Sequence, residues 1–167
     1  MLGRKAMAVQ GRDLLYIVLS RLEGSLLAPD ALSRRALQDI VCIAQAWGLP
    51  LGYEFAFSLK GPHSNELLPD IMELQSRTGT YERRSRTLRT GRDLSRALDG
   101  LEAFLAPLRE DRRRLHLVAS VMLLGGQMGL TRRSIIEHFR RYAPEYFPFE
   151  IADVIDLVNE GTPLRIP

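Results

Sequence analysis

Residues 53–74 read YEFAFSLKGPHSNELLPDIMEL and join an extended, aromatic-rich segment to a helix. From Leu51 to Leu59 apolar and polar residues mix with a period of two, which is typical of a half-buried strand. After Gly61-Pro62, Ser64 is a candidate cap for a helix that runs to Gln75. A proline at position 69 would fall inside that helix, so the helix is expected to kink or to restart with the proline in its first turn.

The turn at Gly61-Pro62 is a candidate binding site. A corner of this kind holds the free backbone N–H groups of a helix start at the surface, where they can meet an anion. We therefore predict an anion- or partner-binding corner, which consists of Lys60, Gly61, Pro62, His63 and Ser64. The alternative is a purely structural hinge, because every capped helix start has this geometry.

Helices are predicted on both sides of this stretch, from apolar residues that recur at the spacing of one helical face. The first covers residues 11–23, and the second ends at Trp47. The other starts and caps are Asp30 or Ser33, Thr90 or Asp93, Asp111, Thr131 and Phe149. The helix after Asp111 has apolar residues on nearly all sides and is expected to be the most buried. The tail 162–167 is expected to fray.

The segment from Gly79 to Thr90 is rich in Thr and Arg and lacks helical periodicity, so it is predicted to form a two-stranded hairpin or an irregular loop. Two helices, a third helix after a tight turn, and then a hairpin form the order of a winged helix-turn-helix. The predicted fold is mainly α, with a winged-helix-like front part, residues 1–108, that carries a small β-hairpin. A C-terminal helical region, residues 109–167, is expected to pack on it as one compact unit.

A nucleic-acid-binding regulator is the first functional hypothesis. Five arginines fall within or next to the predicted wing, where they would contact phosphates: Arg83, Arg84, Arg86, Arg89 and Arg92. The predicted third helix weighs against reading of DNA by that helix, because Glu66, Asp70 and Glu73 would face an anionic ligand. The second hypothesis is a protein-binding adaptor or antitoxin-like module that uses the Gly-Pro corner and this acidic helix.

The basic residues are almost all arginines. The chain has 23 Lys and Arg residues against 20 Asp and Glu, and Lys5 and Lys60 are its only lysines. Arginine suits bidentate contact with phosphate, but codon bias or thermal adaptation gives the same excess. A net charge of +3 is too small to identify a nucleic-acid-binding protein by itself.

Other classes find no support in the sequence. No catalytic constellation and no metal-ligand spacing is present, so we expect neither an enzyme nor a metal or other cofactor. Cys42 is the single cysteine, which rules out a disulfide within the chain. No apolar run reaches the length of a signal peptide or of a membrane span, which favours a cytoplasmic protein without a membrane partner. The oligomeric state is left open, with a homodimer as one option.

The phrase KGPHSNELLPDIMEL resembles the Y-G-P-Y-S-x-x-L-x-x-D-x-x-x-L signature of the YwgA-like proteins of bacteria and archaea, and a related phrase occurs in Panacea-type antitoxin domains. The residues that match are Gly61, Pro62, Ser64, Leu67, Asp70 and Leu74. The later phrase LHLVASVMLL is similar to the family's L-x-x-x-A-S-x-x-x-L helix, and residues 145–161 are similar to its closing helix. His63 stands where the family has an aromatic residue, and Pro69 is atypical. The resemblance supports the fold and implies no activity.

Overall fold

The computed structural model describes residues 11–23 and 31–167, and this part of the chain is mainly helical with one small antiparallel hairpin. Its helices and strands are, in chain order, α1 Gly11–Glu23, α2 Ala31–Ala46, β1 Ala56–Ser58, β2 Gly61–His63, α3 Leu67–Ser76, α4 Thr78–Ser85, α5 Arg92–Leu105, α6 Arg112–Met122, α7 Arg132–Tyr142 and α8 Pro148–Gly161. A 3-10 turn, Ala106–Leu108, follows α5. The prediction of a mainly α fold with a β-hairpin is confirmed.

Helix α6 lies at the centre of the molecule. Every residue from Leu115 to Met122 is buried except His116, which is partly exposed. The helix packs against α2 and against α8, so apolar residues are needed around most of its circumference. The expectation that this helix is deeply buried is confirmed.

Helix α1 forms the other side of the core, where it packs against α2, α4 and α5. Its bounds are those predicted, and its apolar stripe is fully buried: Leu14, Leu15, Val18, Leu19 and Leu22. Two predicted caps are also confirmed. The side chain of Asp111 accepts a hydrogen bond from the Arg114 N–H, and that of Thr131 accepts one from the Ser134 N–H. The cap candidate Asp30 lies outside the described residues.

The hairpin is not where the sequence predicted it. Residues 78–85 form α4, so the hairpin prediction for Tyr81 to Thr90 was wrong. Tyr81 is buried and stacks on Tyr16 of α1 with ring centroids 6.0 Å apart. The Thr78 hydroxyl donates to the Leu74 and Gln75 carbonyl groups at the end of α3, both at 3.0 Å. These contacts with α1 and α3 therefore stabilise a helix in a segment whose sequence lacks helical periodicity.

Instead, the hairpin consists of β1 and β2, with Ser58 paired to Gly61 and Phe57 paired to Pro62. It precedes α3 rather than following it, so it cannot be the wing of a winged helix-turn-helix. Helix α3 begins at Leu67, three residues later than predicted. Pro69 consequently lies in the first turn, where its missing N–H costs no helical hydrogen bond.

The C-terminal end of the core holds two features that the sequence did not predict. Helix α6 continues into a π-helical segment, Leu123–Gln127, in which the Gln127 side-chain amide donates to the Phe55 carbonyl at 3.0 Å. The tail is ordered rather than frayed, because Ile166 is buried and its backbone N–H and carbonyl both bond to the Asn159 side chain. The division at residues 108 and 109 stays a prediction, and contact between α2 and α6 joins the two parts.

Candidate functional site

The turn of the hairpin is fixed to α2 by an arginine. Leu59 and Lys60 form the two-residue connection between the strands. The guanidinium group of Arg35 on α2 donates to the Lys60 carbonyl. The Ser58 hydroxyl closes the turn, because it accepts from the Lys60 N–H and donates to the Gly61 carbonyl, each at 3.1 Å. The backbone of Lys60 is therefore held beside Arg35 of α2.

A cleft of about 550 Å³ lies between α2, the hairpin and the start of α3. Its basic lining residues are Arg34, Arg35 and Lys60, and none of the described residues that line it is acidic. The remaining lining residues are Gln38, Ser58, Pro62, His63 and Leu68. An anion that enters this cleft thus meets positive charge from two different elements of the fold.

A second cavity, of about 390 Å³, lies between α2 and the start of α6. Arg35 lines both cavities, so the two are neighbours. The other residues of the second cavity are Ala36, Asp39, Arg112, Arg113, His116 and Tyr146. Within the part of the chain that the structure describes, Asp39 is the one acidic residue that lines either cavity. We call the two together the basic groove.

Asp39 is buried, with 2% of its surface exposed, and is bound to His116. Nδ1 of His116 lies 3.0 Å from each of the two carboxylate oxygens of Asp39. Burial raises the pKa of the Asp39 carboxyl, while the hydrogen bond from His116 and the charges of His116, Arg35 and Arg112 oppose that rise. The hydrogen bond from His116 therefore partly offsets the effect of burial on the Asp39 carboxyl group.

The opposite edge of the His116 ring faces the hairpin. A β-carbon at position 61 would lie 2.2 Å from Cε1 and 2.4 Å from Nε2 of His116. The backbone of Gly61 therefore covers the nitrogen that a general base would use on a substrate. This geometry favours a structural role, in which the Asp39–His116 pair connects α2, α6 and the hairpin.

The predicted corner is divided by the structure. Lys60, Pro62 and His63 line the first cleft. Gly61 and Pro62 belong to β2 and do not lead directly into a helix. Ser64 does not cap α3, because Glu66 occupies the cap position and makes no side-chain capping bond. The predicted cap at Ser64 was therefore wrong, since the helix starts three residues beyond it. Binding of an anion or a partner at the corner stays a prediction.

The backbone of Ser64 has a different partner. Its N–H donates to the side-chain oxygen of Gln38 at 2.9 Å, and its carbonyl accepts from the same amide at 3.4 Å. Ser64 is 1% exposed, so this pairing satisfies backbone groups that burial has removed from water. His63 is exposed, and its Nε2 lies 2.7 Å from the side-chain oxygen of Asn65.

The five arginines of the predicted wing lie on α4, in the segment that leads to α5, and, for Arg92, at the first residue of α5. Arg84 pairs with Asp13 of α1 at 2.6 Å, and Arg86 pairs with Glu82 one turn before it. Arg83, Arg89 and Arg92 are exposed. None of the five lines the basic groove, so the structure does not bring them together with the corner residues there.

The sequence offered a partial signal for the basic groove. Arg34 and Arg35 are adjacent in the sequence of α2, and Arg112 begins a run of three arginines directly after the predicted cap Asp111. What spacing could not show is that Asp39, 77 positions from His116, is buried against it. Contacts of that range depend on how α2 and α6 pack.

The described residues show neither a membrane-spanning helix nor a cluster of metal-binding side chains. No helix within 11–23 or 31–167 is both long and apolar enough to cross a membrane. The same residues bring no three His, Cys, Asp or Glu side chains together in a group that could hold a metal ion.

Comparison with protein-family models, with curated proteins and with solved structures finds no match for this chain.

Proposed function

We propose that this protein is a regulatory nucleic-acid-binding protein that holds phosphate groups in the basic groove. The observation that carries the proposal is the convergence of Arg34, Arg35, Lys60 and Arg112 on two adjoining cavities. Among the described residues that line these cavities, the one acidic residue, Asp39, is buried and bonded to His116. Phosphate contacts from arginine and lysine supply most of the affinity of proteins for nucleic acid.

The distribution of charge supports this site over the arginines of α4. A net charge of +3 attracts a polyanion weakly when it is spread over the surface, and more strongly when like charges line one concave face. Outside the groove, Arg84 of α4 and Arg86, which directly follows α4, pair with carboxylates. The basic groove is also concave, so a phosphate group there would be contacted from more than one side.

Helix α3 does not compete for this role. Its Asp70 accepts hydrogen bonds from Arg12 at 2.7 Å and from the Tyr53 hydroxyl at 2.8 Å, and Glu73 pairs with Arg77. These charges are partly compensated within the protein, and the helix presents no basic residue from Leu67 to Ser76. The proposal therefore rests on the basic groove and does not require a recognition helix in the major groove.

A double variant tests the proposal. Arg34→Ala with Lys60→Ala removes two charges from the groove and leaves Arg35, which holds the hairpin turn, in place. The control, Arg83→Ala with Arg89→Ala, removes the same charge from exposed positions outside the groove. Binding to labelled oligonucleotides is measured by fluorescence anisotropy over a series of salt concentrations.

We expect the groove variant to bind more weakly and its salt slope to fall by about 0.7 to 0.9 for each lost phosphate contact. The control should bind as the parent protein does. Equal losses in both variants would show that the groove has no special role, and failure of the parent protein to bind any oligonucleotide would overturn the proposed function.

A protein-binding adaptor is the second candidate, and it is favoured by Leu59. This residue is 85% exposed at the tip of the hairpin, directly before Lys60. An apolar side chain next to basic ones suits a partner segment that carries both apolar and acidic residues. Leu59→Ser should weaken the capture of such a partner and leave oligonucleotide binding unchanged, so this variant separates the two candidates.

The proposal includes a distant relationship to the YwgA-like family, a cytoplasmic location and a role without catalysis. The relationship is supported by the packing of the matching residues. Leu67 and Leu74 are fully buried, Asp70 holds Tyr53, and Gly61 lies against His116. Detection of the same buried Asp–His pair in a member of that family would test it.

A further inference from the structure

We propose that the nucleic acid is single-stranded, and that its bases stack on Phe147 and Phe149 while its phosphates lie in the basic groove. The inference rests on the proposed function and deepens it, since it names the form of nucleic acid. It is carried by an exposed aromatic pair that adjoins the groove.

The two phenylalanines form a stacked pair at the start of α8. Their ring centroids are 5.7 Å apart and their planes differ by 5°. Phe147 is 57% exposed and Phe149 is 66% exposed. The core-facing side of α8 is already filled by four other residues, Ile151, Val154, Ile155 and Val158. Burial in the core therefore does not explain this pair, whereas contact with a ligand would remove its apolar surface from water.

Contacts link the aromatic pair to the basic groove. Tyr146, which lines the second cavity, directly precedes Phe147. The guanidinium group of Arg113 lies 4.4 Å from the centre of the Tyr146 ring and pairs with Glu150. Glu150 in turn accepts from the Phe147 N–H at 2.8 Å. Residues of the groove thus hold the backbone from which Phe147 projects.

The charges around the aromatic pair indicate on which side of it the phosphates of a nucleic-acid strand would lie. Glu150 is compensated by Arg113, and the same pairing lowers the pKa of the Glu150 carboxyl. Glu145 is exposed on this segment and would repel a phosphate. Phosphates are therefore expected on the side of Arg35 and Arg112, and the bases, which carry no charge, on the side of the phenylalanines.

An exposed aromatic pair beside basic residues favours single-stranded over double-stranded nucleic acid. Bases in a duplex are stacked on one another and paired, so their faces are not available to a side chain at the surface. Bases of a single strand can stack on aromatic rings whatever their sequence, and basic residues beside the rings follow the backbone. A duplex could use the arginines of the groove alone and would gain nothing from Phe147 and Phe149.

The test compares the parent protein with Phe147→Ala/Phe149→Ala. The probes are labelled oligothymidylate, labelled oligouridylate and a labelled duplex DNA of similar length. Tyr142→Ala is the control, because Tyr142 is another exposed aromatic residue, 49% exposed, that lies against His138 and outside the groove. Thermal melting of each variant establishes that it is folded, which is expected because the changed side chains are exposed.

We expect the parent protein to bind single strands more tightly than the duplex, and the double variant to lose at least about tenfold in single-strand affinity. Duplex binding should be unchanged, and Phe147→Tyr/Phe149→Trp should retain single-strand binding because stacking is retained. A preference for either the thymidylate or the uridylate probe would assign the ligand as DNA or RNA.

Three results would overturn the inference, and they differ in what they imply for the proposed function. If the double variant binds single strands as the parent does, or if the parent binds the duplex equally well, the stacking role is lost and the proposed function stands. If the parent binds none of the probes, the proposed function fails as well.

Discussion

Gly61 and His116 pack so closely that the hairpin backbone lies where a β-carbon of residue 61 would meet the imidazole ring, 2.2 Å from Cε1. The backbone of Gly61 also has a φ of +93°, a conformation that residues other than glycine rarely adopt. The ring cannot easily move away, because Nδ1 is bonded to the buried Asp39. Glycine is thus required at this position for two independent reasons.

The first prediction concerns Gly61→Ala, which should lower the free energy of unfolding by about 2 to 4 kcal/mol through backbone strain and overpacking. Gly52→Ala is the matched control, since Gly52 has a φ of +81° but no atom within 4 Å of its β-carbon position. The control measures strain alone and should cost about 1 to 2 kcal/mol. Urea denaturation of both variants gives the difference, and equal losses would show that the contact with His116 adds nothing.

The second prediction concerns pH and Asp39. Burial raises the pKa of this carboxyl above its ordinary value of 3.8. Between pH 3.8 and the raised pKa, the folded protein therefore holds a proton that the unfolded chain has released. The contribution of Asp39 to stability is therefore fully present below pH 3.8 and is lost as pH rises through the raised pKa. The charges of His116, Arg35 and Arg112 favour the ionised carboxylate, so they make this loss of stability smaller.

Asp39→Asn removes this titration, because an amide does not ionise in this range. The free energy of unfolding of the variant, relative to the parent protein, should therefore increase as pH rises above about 4. Denaturation curves at a series of pH values measure it. A constant difference between the two proteins across that range would contradict the predicted shift.

The third prediction concerns Val121, which is fully buried on α6. Val121→Asp should unfold the protein, because an unpaired buried charge costs several kcal/mol against a total stability of about 5 to 15 kcal/mol. Ala103→Asp on the exposed side of α5 is the control and should cost less than about 1 kcal/mol. Circular dichroism and thermal melting distinguish them, and a normal melting curve for the Val121 variant would contradict the central position of α6.

The fourth prediction separates two neighbouring arginines of α4. Arg84 bonds to one oxygen of Asp13, and the other oxygen of Asp13 is buried without a hydrogen-bond partner among the described residues. Arg84→Ala should therefore lower the free energy of unfolding by about 1 kcal/mol, a value kept small because the arginine is half exposed. Arg83→Ala removes the same charge from an exposed position and should change stability by less than about 0.5 kcal/mol. Parallel thermal melts compare the two, and equal stabilities would dismiss the Asp13 pair as a stabilising contact.

Local sequence signals were sufficient for most helices. The stripe of α1 and the caps Asp111 and Thr131 depend on residues within one or two turns of each other, so their physical causes are visible in the sequence. The segment 78–85 was misassigned because its helix is stabilised by Tyr81 packing on Tyr16, 65 positions away. The lack of helical periodicity in a short segment does not prevent a helix when such a contact stabilises it.

The candidate site was predictable only in pieces. Lys60 and His63 were selected for their place beside the Gly-Pro turn, and they do line the first cleft. Asp39 lies within the predicted second helix, and its burial depends on a histidine from α6 and on a glycine backbone from the hairpin. Three segments far apart in the chain meet there, and no spacing within one of them carries that information.

The π-helical segment Leu123–Gln127 has an evolutionary consequence. A π turn contains one residue more than an α turn, as the hydrogen bond from the Met128 N–H to the Leu123 carbonyl shows. Loss of one residue here would restore a regular α-helix and rotate the positions that follow by about 100°. Gln127 would then turn away from the Phe55 carbonyl. Homologous chains that are one residue shorter at this point are therefore expected to lack the hydrogen bond that links this segment to Phe55, the residue directly before β1.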